Sequence, residues 1–109
     1  MATTYKVLGQ SAPAATTDAD IYTVPSATTA VISTVNIANR GASSATFRLA
    51  VRPAGASITN AMYLAYDVVV PANDSIALTL GITMAATDVF TVRASTADFS
   101  FNIFGSELT

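Results

Sequence analysis

The 109-residue chain contains no cysteine, no histidine and no tryptophan. Without cysteine there is no disulfide framework, no thiolate metal site and no thiol nucleophile, and without histidine the usual serine and cysteine triads lose their base. Charge is scarce too: five basic and seven acidic residues leave a formal net charge of −2. Lys6 and four scattered arginines cannot form the basic cluster that phosphate recognition requires, so no nucleic-acid partner is expected. No apolar run approaches the roughly 20 residues a membrane span needs, and no membrane partner is expected. The opening MATTYKVLGQ lacks a basic region followed by an apolar one, which predicts that the mature protein is the encoded one. The sequon Asn73-Asp74-Ser75 then reads as a turn rather than a glycosylation site.

What fills the chain instead is small. Alanine (21), threonine (16) and serine (10) supply 47 of the 109 residues. Charge is the main device that keeps monomers apart, so this quiet surface predicts an assembled protein rather than a free one. The length suits a single domain with one core.

Valine, isoleucine, threonine, phenylalanine and tyrosine dominate short periodic segments separated by Gly, Pro, Asn, Asp or Ser, and no helical repeat competes with them. The spacing predicts about eight strands, near Tyr5–Gly9, Ile21–Val24, Ala30–Ala38, Ala45–Arg52, Met62–Tyr66, Ser75–Thr79, Val89–Ala94 and Phe99–Phe104. Val31, Ser33, Val35 and Ile37 are predicted to share a face, as are Phe47, Leu49 and Val51 across a hairpin turned by Asn39-Arg40-Gly41 at positive φ. Pro71-Ala72-Asn73-Asp74 repeats that turn chemistry. Further inward rows are Ile76, Leu78 and Leu80; Phe90 and Val92; and Phe99, Phe101 and Ile103. The fold class is therefore all-β, a single-domain antiparallel β-sandwich of jelly-roll type or a closely related barrel. Residues 1–19 read as an N-terminal strand and arm of that domain, with Gly9–Ala19 as an arm ordered on contact or a long loop, and 20–109 as its body. The segment Pro53–Ala61 reads as a protruding irregular connection.

Candidate chemistry is sparse. A serine nucleophile would need Lys6 as its base, and Lys6 reads as a solvated strand lysine. The carboxylates Asp18, Asp20, Asp67, Asp74, Asp88, Asp98 and Glu107 sit mostly beside turns, where aspartate bonds local backbone, so no catalytic pair is nominated and the protein is read as a non-enzyme. Asp18-Ala19-Asp20 has the form of a metal-binding DxD but lacks the surrounding α/β pattern; it is read as a turn, with no metal and no cofactor expected. Tyr5, Tyr22, Tyr63 and Tyr66 offer rings for sugar stacking, yet strand parity puts Tyr63 and Tyr66 on opposite faces, which favours core or interface roles. Arg48, Arg52 and Arg93 are predicted to face outward. There they are either solvated or paired across an interface with a neighbour's carboxylate such as Asp67 or Asp88. The candidate interface set is thus Arg48, Arg52, Arg93, Tyr63, Tyr66 and Asp67.

The phrases TYKVLGQSAPAATTDADIYTVP, VNIANRGASSATFRLAV, YLAYDVVVPANDSIALTLGITMAATDVFTVRAS and FSFNIFGSEL, with NRG, PAND, GIT and ATDV inside them, span almost the whole chain. In these the sequence resembles small virion proteins of tailed bacteriophages, notably phages of cyanobacteria and other marine bacteria. The resemblance implies a β-sandwich assembled in the host cytoplasm and carried on the particle surface. There it would act as a head decoration (cement) protein bound between capsomers or as a tail, baseplate or fibre component. The partners it implies are the major capsid protein or other virion proteins, and a homo-oligomer, with a trimer suiting local threefold positions. The alternative from another class is a glycan-binding module for host attachment, with Tyr22, Tyr63 or Tyr66 and the Asn/Asp loops as its site.

Overall fold

The β-branched and aromatic runs become nine strands in the computed structural model, which describes residues 2–109. They are β1 (Thr3–Ser11), β2 (Ala19–Thr23), β3 (Thr29–Asn39), β4 (Ala45–Arg52), β5 (Tyr63–Val70), β6 (Ser75–Leu78), β7 (Ile82–Met84), β8 (Val89–Ala94) and β9 (Phe99–Leu108). One sheet runs β1-β9-β3-β6 with β7 also on β3, and the other runs β2-β8-β4-β5. All pairings are antiparallel. One set is nested, β1 with β9, β2 with β8, β3 with β6 and β7, and β4 with β5, while β3–β9 and β4–β8 join these hairpin rungs side by side within each sheet. That is the winding of a jelly roll, a long hairpin rolled into two sheets.

The core lies between the sheets. Phe99, Phe101 and Ile103 of β9 and Phe47 and Leu49 of β4 are fully buried. The Phe47 ring lies 6.4 Å from those of both Phe99 and Phe101, joining the two layers with an aromatic cluster. Ile76 and Leu78 pack at its margin, whereas Leu80 is exposed beyond the end of β6.

Several expectations are corrected. β3 and β4 are not a hairpin, because they lie in different sheets and Asn39-Arg40-Gly41 is a corner between layers. None of those three residues has positive φ; among the described residues of the paired turn it is Asn73 that does, at 55°. Asn39 is the pivot of the corner. It is 2% exposed, its Nδ2 donates to the carbonyls of Ser43, Val70 and Pro71, and its Oδ1 accepts from Gly41 N at 2.9 Å. The short strand β7 escaped notice because three residues carry too little periodicity, and Gly81 at φ 64° separates it from β6. In the N-terminal segment, Gly9–Ser11 belong to β1, hydrogen-bonded to β9, so only residues 12–18 form a connection.

The inward row of β3 also differs. Ala30 and Ile32 face the core, Ser33 is an extra residue in the register against β9, and the row resumes at Val35 and Ile37. A bulge shifts the period by one, so Val31 and Ser33 turn outward. Ser33 Oγ donates to the Phe104 carbonyl at 3.0 Å, giving that acceptor a partner at the bulge. On the other side of β9, β1 bulges at Leu8. Gly105 is demanded here, since a Cβ would overlap the Val31 carbonyl.

Candidate functional site

Two outer faces carry the candidate residues. On the second sheet, Asp18, Arg93, Arg48 and Asp67 form a row running from the approach to β2 across β8 and β4 to β5. Arg48 and Arg93 are directly opposite in register, an arrangement that repels unless compensated. Each is compensated on its far side: Arg48 Nε lies 2.8 Å from Asp67 Oδ1, and Arg93 Nη1 lies 3.5 Å from Asp18 Oδ1. The Arg48 guanidinium beside Asp67 holds that carboxyl below its ordinary value, and the same bond pushes Arg48 up. Arg48, Arg93, Thr16, Thr46 and Ser95 border a hollow of about 190 Å³.

Arg48 therefore finds Asp67 within its own chain rather than on a neighbour. Asp88 serves the backbone instead, accepting from Ala54 N and Ala85 N at 2.9 Å each. Arg52 is likewise committed internally: it reaches Asp20 at 2.8 Å, the Thr91 hydroxyl at 3.0 Å and the carbonyls of Gly55 and Ala56 at 3.1 Å. This anchors the irregular connection after β4, which contains the 3-10 turns Pro53–Gly55 and Asn60–Met62. Asp18 and Asp20 thus each face a separate arginine. Among the described residues no three carboxylates gather as a metal cage.

Tyr63 and Tyr66 do not face opposite ways, which corrects the parity argument. Their ring centroids are 4.8 Å apart at 84°. In the register of β5 against β4, Leu49 opposes Ala65 while Ala50 opposes Tyr63, so Leu64 is an extra residue and the alternation is reset. A second slip, with Asp67 at φ 53°, brings Asp67 beside Arg48. The Arg48 guanidinium carbon sits 4.0 Å from the Tyr66 centroid, a cation–π contact. Tyr63 and Tyr66, with Asn60, line a groove of about 530 Å³. Tyr22 is not part of it: it lies on β2, at the opposite edge of the sheet, with its phenol turned to Glu107.

The other sheet presents a patch that sequence reasoning missed. Tyr5 (84% exposed), Val7 (48%), Phe104 (38%) and Val31 (37%) lie on neighbouring strands β1, β9 and β3. They border a shallow depression of about 500 Å³ together with Lys6, Ser33, Gly105 and Ser106. The bulge at Ser33 puts Val31 out of step with Val35 and Ile37, so a period-two reading anchored on those two residues places it in the core instead. Lys6 is paired with Glu107 at 3.0 Å, leaving the patch with little free charge.

The sequence matches no protein-family model and no curated protein.

Proposed function

We propose that the chain is a non-enzymatic structural protein of a tailed-phage particle, acting first as a head decoration protein that binds between capsomers. The observation that carries this reading is the apolar patch of Tyr5, Val7, Val31 and Phe104 on the outer face of β1, β9 and β3. Contiguous apolar surface held in water favours coverage by another protein. The low charge count and the resemblance of the sequence to small phage virion proteins support the same reading. The jelly-roll winding agrees by analogy alone, since it serves capsid and lectin domains alike.

A cement needs a rigid fold and a contact surface. Binding to the assembled lattice in preference to free subunits stabilises the shell by mass action. The partner in this reading is the major capsid protein, and a closed trimer fits a local threefold position. A second reading, a tail or fibre component used in attachment, is favoured by one observation, the pairing of Tyr63 and Tyr66 over an open groove.

The test is the copy number of the chain relative to the major capsid protein in purified particles, by quantitative mass spectrometry. A fixed large fraction, up to parity, is the expected result. A few copies per particle would move the protein to the tail, and absence from particles would overturn both readings.

A further inference from the structure

We infer that the groove lined by Asn60, Tyr63 and Tyr66 is a binding site for a neutral saccharide. This deepens the attachment reading and rests on it, not on head decoration. The two rings meet edge to face, their centroids 4.8 Å apart at 84°, and both line the groove. Asn60, at the start of the 3-10 turn leading into β5, also lines the groove and carries an amide that both donates and accepts. A pyranose offers an apolar C–H face and a rim of hydroxyls, the complement of an aromatic ring flanked by phenol and amide groups.

The charges beside the groove decide the class of sugar. Arg48 and Asp67 are bonded to each other at 2.8 Å, and the guanidinium also covers Tyr66. The two charges offset each other beside the groove, so a neutral saccharide fits better than a uronic or sialic acid. The same contact holds Tyr66 in place before a ligand arrives, which lowers the ordering cost of binding.

The experiment is an NMR titration of the isolated protein, following backbone amides, with maltohexaose, cellohexaose, a mannan oligomer, oligogalacturonate and a proline-rich peptide. Expected are saturable shifts at residues 59–67 with at least one neutral oligosaccharide and none with oligogalacturonate. Affinity should fall about tenfold or more in Tyr63→Ala. Asn60→Ala, exposed in a turn, provides a second variant should Tyr63→Ala fail to fold, and Tyr5→Ala on the other sheet should bind as the parent does. The inference is overturned if no neutral sugar shifts the groove, if both groove variants bind unchanged, or if only the peptide binds. Sugar binding with head-level copy number would leave the groove intact and remove the tail placement. Tail-level copy number without sugar binding would do the reverse.

Discussion

The phenol of Tyr22 donates to Glu107 Oε2 at 2.5 Å, tying β2 at the edge of one sheet to β9 in the other. Lys6 approaches the second oxygen of the same carboxylate at 3.0 Å, and the Glu107 side chain is only 12% exposed. The Tyr22 bond first, then Lys6, holds Glu107 below the ordinary carboxylate value. Burial first, then Glu107, pushes the phenol up, so Tyr22 remains a donor throughout the acid range.

A depressed carboxylate stabilises the fold above its unfolded value and loses that contribution as pH falls through the folded one. The melting temperature should therefore decline below about pH 4.5, the ordinary value for Glu107. Glu107→Gln should be less stable at pH 7 and flatten the decline. Asp67 is shifted in the same direction, but on an exposed surface that salt screens. Thermal melts from pH 7 to pH 2 at low and high salt separate the two. A Glu107→Gln curve parallel to that of the parent would exclude the carboxylate as the cause.

Asn39→Ala removes a buried amide that serves three carbonyls and one N–H at the corner of the two sheets. Stranding these groups should cost about 2–4 kcal/mol, as each buried unsatisfied group costs roughly 1–3 kcal/mol and the site partly relaxes. Urea denaturation gives the value, and a loss below about 1 kcal/mol would mean that water replaces the amide.

Gly105→Ala should destabilise by about 1–3 kcal/mol, because the new methyl overlaps the Val31 carbonyl and backbone yields less readily than a side chain. Gly81→Ala is the comparison: beyond its two chain neighbours nothing lies within 4 Å of a Cβ added there, so a loss comes from φ 64°. Denaturant midpoints of the two variants test whether overlap exceeds backbone strain.

Val7→Lys and Phe104→Lys place charge in the exposed patch on β1 and β9. Val7→Lys, at about half exposure, should change stability by no more than about 0.5 kcal/mol, while Phe104→Lys, at 38% exposure, should cost more. Binding to purified phage heads lacking the protein, read by co-sedimentation, should be lost. Retention at the parental level would remove the patch as the contact surface.

The strands were legible wherever period two ran uninterrupted: Phe99, Phe101 and Ile103 are buried as their alternation with Ser100 and Asn102 predicts. It failed at Val31 and Ser33 and again at Tyr63 and Tyr66, because one extra residue reverses every side chain beyond it and leaves no local mark in composition. The outward setting of Arg48, Arg52 and Arg93 was legible from parity; their carboxylate partners, brought from distant strands, were not.

By itself, then, the sequence determined the all-β class and the absence of thiol and imidazole chemistry, since composition and local periodicity are properties of the chain alone. Which strands are neighbours, which turn is a corner, and which rings and charges share a face were decided only in the tertiary structure. Those depend on nested pairing across the chain and on bulges set by long-range contact between sheets.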